Sequence, residues 1–167
     1  MDDVIIREAR RTDAAGLVRA WRDAGRFAVE TDATVFQVPV EAGLAEFFVS
    51  SLEGMDDDES VLVAERDGDV LGFVSGRVLE PAGDARWQIQ RELAARRLLI
   101  DVVAVSEPYR RQHVGSALVG AIEDWARRRG AAVAAVDGNW ENGVAVSFYE
   151  ARLGYRRRAL TLRKALR

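Results

Sequence analysis

Cysteine is absent from this chain, and histidine occurs once, at position 113. The first absence removes disulfides, thiolate nucleophiles and zinc–thiolate sites together, and it fits a reducing compartment. The second excludes metal sites built from several histidines and argues against a Ser-His-Asp arrangement. Long apolar runs are missing too: none approaches the roughly 18 to 20 residues that a membrane-spanning helix needs. Met1-Asp2-Asp3 opens on acid rather than on a basic stretch leading into an apolar one, so no secretory leader is expected. The protein therefore reads as cytoplasmic, with no membrane partner. Positive charge is not in excess either, since 24 basic and 27 acidic side chains leave a net charge of -3, which argues against a nucleic-acid partner.

What remains is 167 residues, enough for a single domain, 1–167, with a real core and no need of metal or disulfide support. Val4 to Glu8 reads as a first strand. Thr12 then caps a helix whose apolar positions Ala14, Leu17, Val18 and Trp21 share a face. Arg26 to Gln37 lacks a period and reads as a loop; a second helix starts at Pro39, with Val40, Leu44, Phe47 and Phe48 inward. Ser60 to Ala64 and Val70 to Val78 are strand-like, and Asp67-Gly68-Asp69 between them predicts an antiparallel hairpin. Pro81 to Arg97 is rich in charge, with Trp87 and Leu93 as isolated anchors and room for a short helix.

Leu98 to Val105 and Ala131 to Val136 are almost wholly apolar, which places them in the middle of a sheet. Between them Val114, Leu118, Ala121, Ile122 and Trp125 repeat at helical spacing, and Gly130 ends the run after three arginines. A strand, helix, strand unit of this length predicts a right-handed parallel crossover. A shorter helix is expected over Asn142 to Leu153, and a last strand around Ala159 to Leu162.

The strand ending at Val105 runs through Pro108, Arg110 and Arg111 into the first turn of the best helix in the chain. A helix N-terminus leaves its first N–H groups unpaired and carries partial positive charge, so this segment can hold an anion. No Walker lysine motif and no pattern of three spaced glycines is present, so ATP and NAD readings fall away. Asp101 is the only charge in its strand. By alternation it shares a face with Val103 and Val105, and burial would lift its pKa toward the range of a general base. The alternative is a carboxylate at a strand end paired with Arg97 or another arginine.

Tyr109-Arg110-Arg111-Gln112-His113-Val114-Gly115-Ser116-Ala117-Leu118 resembles the acetyl-coenzyme A pyrophosphate loop of the GNAT superfamily of N-acetyltransferases. That pattern is Arg or Gln, two residues, Gly, one residue, then Gly or Ala. Arg110 fills the first position and Gly115 the last, while His113 stands where the pattern has its first glycine. Asn142, Ala145, Phe148, Tyr149 and Glu150, followed by Gly154-Tyr155, resemble the family's second segment. The N-terminal strand and helix, the hairpin and the last strand also match.

The resemblance implies an α/β GNAT fold: a mixed sheet of six to seven strands, helices on both faces, and two central parallel strands splayed apart. It implies acetyl-coenzyme A as co-substrate, its pantetheine arm on the backbone of Val103, Ala104 and Val105. The pyrophosphate would sit on N–H groups from Arg111, Gln112, His113, Val114, Gly115 and Ser116, with Arg110 and Ala117 completing that stretch. Phe148 and Asn142 belong to the same set, although Asn142 also suits a helix cap. Asp101 matches an acidic position some members use as base, and Tyr149 is the implied acid beside the coenzyme sulfur. For His113 a phosphate contact or plain exposure is expected rather than catalysis.

The implied reaction is N-acetylation of a small-molecule primary amine in a ternary complex, without a metal. Two alternatives stand beside it: a non-catalytic coenzyme A-binding sensor or regulatory module, and an acetyltransferase acting on protein lysines or N-termini. A homodimer is the assembly the superfamily suggests. Glu30 and Asp32 fall in the segment that lines the acceptor side in related enzymes, and Trp140 either walls the same cleft or packs. The acidic run Met55 to Glu59 reads as a solvated loop, with attraction of a cationic acceptor as the alternative.

Overall fold

In the computed structural model of this chain, which describes residues 4–137, 142–158 and 164, the sheet is organised around the Asp67-Gly68 turn. Both turn residues have positive φ, 54° and 82°, the combination whose twist matches the strands it joins. It connects β2 (Glu59–Arg66) to β3 (Asp69–Leu79). β1 (Ile5–Glu8) pairs antiparallel with β2, and β4 (Arg97–Val105) antiparallel with β3. β5 (Val133–Val136) then lies parallel to β4, giving the order β1-β2-β3-β4-β5. Among the described residues the mixed sheet has five strands, fewer than the expected six to seven; the last strand expected, Ala159 to Leu162, lies outside the described residues.

The chain divides into two compact units, Met1–Asp137 and Gly138–Arg167. In the first, α1 (Ala14–Thr31) and α2 (Leu44–Glu53) follow β1, and α3 (Val114–Arg128) links β4 to β5. Leu17 and Ala20 of α1 bury against Val63, Val70, Phe73 and Ala104, forming the core on one side of the sheet. Gly16 permits that close approach: a Cβ there would come within 2.5 Å of the Val70 side chain. On the other side α3 buries Val114, Leu118, Val119, Ile122 and Trp125, with Ile122 reaching Gly76 beside Leu98. Each fully buried leucine or isoleucine contributes about 1.5–3 kcal/mol.

Three expectations about the helices need correction. The entry to α1 is held by Asp13 rather than Thr12: its carboxylate accepts the Arg10 N–H at 2.7 Å and both Nη groups of Arg7 at 2.7 and 2.9 Å. α1 continues to Thr31, through half of the segment expected as a loop, because Ala24, Phe27 and Ala28 prolong its inner stripe. α2 starts at Leu44 and not Pro39, since Gly43 takes φ 80° ahead of it. Leu44 is buried and the Phe48 ring meets Phe73 edge-on at 5.7 Å, whereas Val40 and Phe47 are 76% and 61% exposed.

Pro81 to Arg97 holds two 3₁₀ turns, Ala85–Trp87 and Arg91–Ala94. Trp87 is no anchor, being exposed with the Arg86 guanidinium stacked 3.9 Å from its ring centre. In the second unit α4 (Gly143–Ser147) passes into a π-helical turn, Phe148–Arg152, close to the helix expected over Asn142 to Leu153. Gly154, at φ 74°, ends it. Among the described residues no helix is long and apolar enough to cross a membrane.

Candidate functional site

β4 is longer than its parallel neighbour. Pairing with β5 covers Arg97 to Ile100 only, and β4 runs on to Val105. Val103, Ala104 and Val105 therefore keep their pairing with β3 on one edge, while on the other no described strand bonds them. A polar chain laid there would find backbone donors and acceptors that no described strand takes, except the Val105 carbonyl, which accepts from Arg110 Nε at 3.1 Å.

The register between β3 and β4 slips at Asp101. Ser75 pairs with Val102 and Gly76 with Ile100, so Asp101 is the extra residue of a bulge. The bulge overturns the face expected from alternation. Arg77 pairs with Leu99 and Ser75 with Val102, so Asp101 shares the face of Leu99, Val102 and Ala104, and Val103 and Val105 point the other way. Its partner is Arg77, at 3.3 Å, rather than Arg97. Although the residue as a whole is exposed, partial desolvation of its side chain raises the Asp101 carboxyl from its ordinary value; Arg77 opposes the rise, and Glu59 and Asp137 add to it.

Beyond Val105 the chain makes a 3₁₀ turn, Glu107–Tyr109, and then enters α3. Arg111 and His113 both lie in the left-handed region, at φ 61° and 65°. His113 thus supplies the backbone shape that glycine would give in the motif, at a conformational cost of roughly 1 kcal/mol. The first bond of α3 runs from the Ala117 N–H to the His113 carbonyl at 3.0 Å. The N–H groups of Val114, Gly115 and Ser116 precede it, at the positive end of the helix dipole. Ser116 Oγ is buried there without a hydrogen-bond partner, which suits a group able to reach it.

Each remaining loop side chain has a defined place. Arg110 donates from Nε to the Val105 carbonyl at 3.1 Å and from Nη2 to the Asp23 carbonyl at 2.8 Å, so its charge is turned into the fold. Gln112 donates to the Pro108 carbonyl at 2.9 Å. Tyr109 donates its hydroxyl to Asp69 at 2.6 Å. Arg111 and His113 are exposed.

In the second unit Asn142 caps α4, its Oδ1 accepting the Ala145 N–H at 3.0 Å. The π-helical turn sets Tyr149 between Phe148 and Tyr155, with ring centres 5.0 and 5.4 Å away, and the Tyr155 N–H donates to the Tyr149 carbonyl at 3.0 Å. Such wide turns recur at functional positions. Burial pushes the Tyr149 phenol up to about 12.

Glu30 is exposed in the last turn of α1, and Asp32 closes a local turn, accepting the Thr34 N–H at 2.9 Å. The run from Met55 leads through a turn, in which Asp56 accepts the Asp58 N–H at 2.9 Å, into β2 at Glu59. Trp140 lies outside the described residues. Sequence reading missed Asp23, a buried carboxylate on α1 that accepts the Glu107 N–H at 3.0 Å. No signal in the sequence singles it out.

The sequence profile of the Acetyltransferase (GNAT) family matches residues 14–155. No curated protein matches the chain. A mutant of the BH1408 protein from Bacillus halodurans shares 20% identity over 97% of this chain and 99% of its own, with a TM-score of 0.82. A transcriptional regulator from Bacillus halodurans shares 21% over 98% and 99%, at 0.74. The aminoglycoside acetyltransferase meta-AAC0020 from an uncultured soil metagenomic sample, in complex with sisomicin, shares 15% over 99% and 98%, at 0.66. These structures have the same fold, and the family profile covers most of the sequence: this chain belongs to the GNAT acetyltransferase family.

Proposed function

We propose that the protein transfers the acetyl group of acetyl-coenzyme A to the primary amine of a small molecule, by direct attack in a ternary complex. The observation that carries this reading is the backbone at Arg111 and His113. Both residues accept left-handed φ just ahead of a helix N-terminus, although neither is glycine. Strain of this kind persists where the surrounding structure holds it, and here it shapes a run of N–H groups suited to a pyrophosphate. The open edge of Val103 to Val105 supports the same assignment for the pantetheine arm.

In this reading Asp101 takes the proton of the incoming amine, directly or through water, its raised pKa bringing it nearer the working range of a base. A backbone N–H near Val103 donates to the developing oxyanion. Tyr149, kept protonated by burial, gives its proton to the departing thiolate. The amine acceptor draws support from the sisomicin-bound neighbour, whose ligand is an aminoglycoside.

The neighbour described as a transcriptional regulator favours a second reading, a module that binds coenzyme A without turnover. One experiment separates the two. Purified protein is titrated with coenzyme A by calorimetry, then assayed for thiol release from acetyl-coenzyme A across polyamines, aminoglycosides, amino acids and short peptides. Binding with amine-dependent thiol release supports the enzyme. Binding without release from any amine supports the sensor, and no binding overturns both.

A further inference from the structure

Three residues of α1 stand four apart on one helical stripe, Arg19, Asp23 and Phe27, and all three meet the segment between β4 and α3 or what anchors it. Arg19 donates to Asp69 at 2.6 Å, and Asp69 accepts the Tyr109 hydroxyl at 2.6 Å. Asp23 is 5% exposed; one carboxylate oxygen accepts the Glu107 N–H at 3.0 Å and the other meets Arg26. Its main-chain carbonyl accepts Arg110 at 2.8 Å, and the Arg110 guanidinium lies 5.4 Å from the Phe27 ring centre. Arg110 also closes back on the Val105 carbonyl.

A buried carboxylate in a helix is costly unless bonded, and Asp23 is bonded to the Glu107 amide near the start of the loop, 84 residues away. We propose that Asp23 is a positioning residue: α1 sets the loop into its anion-binding shape before any cofactor arrives, with Asp23 and Arg110 as the fastening. The proposal rests on the coenzyme A reading of that loop. Its physical content is preorganisation, since a loop already held in the bound shape spares the ordering cost at the moment of binding. Asp23 touches neither reacting group, so the effect belongs in cofactor affinity and not in the chemical step.

The test compares native protein with Asp23→Ala, which removes the acceptor, and Glu107→Pro, which removes the donor while leaving Asp23 in place. Hydrogen exchange of the full chain without cofactor reads the loop directly. Both variants should exchange faster over residues 109–116 and keep native protection in the β2–β3 hairpin. The KM for acetyl-coenzyme A should rise about tenfold, as expected for loss of a hydrogen bond to a charged group, with kcat at saturation within about twofold of native. The double variant should be no worse than the weaker single one. Native KM and native loop protection in Glu107→Pro would overturn the proposal, even if Asp23→Ala fails to fold; so would exchange that rises across the whole sheet in both. If native protein binds no coenzyme A, the functional reading fails, while the exchange pattern still decides whether Asp23 holds the loop.

Discussion

The Arg77 guanidinium lies 3.3 Å from an Asp101 carboxylate oxygen, across the bulge that interrupts the pairing of β3 with β4. A cation at that distance stabilises the ionised acid, while burial disfavours it, and burial is the larger influence. If Asp101 is the base, Arg77→Gln should move the acid limb of the kcat/KM profile upward by as much as about one pH unit. Glu59→Gln should move it downward, because Glu59 raises the Asp101 pKa. Rate profiles recorded from pH 4 to 9 would decide it; limbs that coincide in all three proteins would remove Asp101 from the reaction.

The same residue has a stability signature. A carboxyl whose folded-state pKa is raised holds its proton more tightly in the folded protein than in the unfolded chain. Stability is therefore lost as pH climbs from the unfolded value through the folded one. Asp101→Asn should melt higher than native protein at pH 7, and the gap should close once pH falls below about 4. Melting curves at the two pH values check this, and a variant less stable at pH 7 would contradict it.

Tyr149→Phe removes one oxygen from a ring already packed between Phe148 and Tyr155. Loss of a general acid costs roughly a hundredfold or more in rate. If Tyr149 is the general acid, as proposed, kcat should fall by about that factor with the coenzyme A dissociation constant unchanged in calorimetry. Native turnover in the variant would move the acid role elsewhere.

Arg7 and Asp13 form the opposite case to Asp101. The Asp13 carboxyl is held below its ordinary value of 3.8, mainly by the hydrogen bonds from Arg7. A depressed folded-state pKa contributes stability above the unfolded value and loses it as pH falls through the folded one. Asp13→Asn should cost about 2 kcal/mol at pH 7 in denaturant unfolding, and the difference should shrink steadily below pH 3.8. A difference independent of pH would show that packing, not charge, is what Asp13 supplies.

His113→Gly places the motif's own residue at φ 65°. It relieves the left-handed strain and increases the freedom of the unfolded chain, two effects of similar size, so stability should change by less than about 1 kcal/mol. Without the Cβ, backbone can come closer to a phosphate, and coenzyme A should bind several-fold tighter. Weaker binding would mean that the imidazole itself contacts the ligand.

Features set by a single local requirement were legible in the sequence. Asp67-Gly68 announces its hairpin because the turn needs two positive φ values, and α3 announces itself through the period of Val114, Leu118, Ile122 and Trp125. The stretch between β4 and α3 was legible for the same reason, a strand ending just before a helix. Features that depend on distant partners were not. A bulge adds one residue without changing composition, so nothing near Asp101 revealed that its face would differ from that of Val103. The start of α2 turned on one glycine conformation. Nothing in the sequence singles out Asp23, because its partner, the Glu107 amide, lies 84 residues away on the far side of the hairpin.

The surplus length of β4 has a consequence for handling the protein. Beyond Ile100 no described strand pairs its second edge, so that, apart from the Val105 carbonyl held by Arg110, its backbone groups there can take an added strand. A ligand that pairs there serves as that strand for as long as it stays, and stability rises with its concentration. If coenzyme A is that ligand, as proposed, protein without it should be the form most prone to stick to its own kind on storage or heating, and adding coenzyme A should keep it apart.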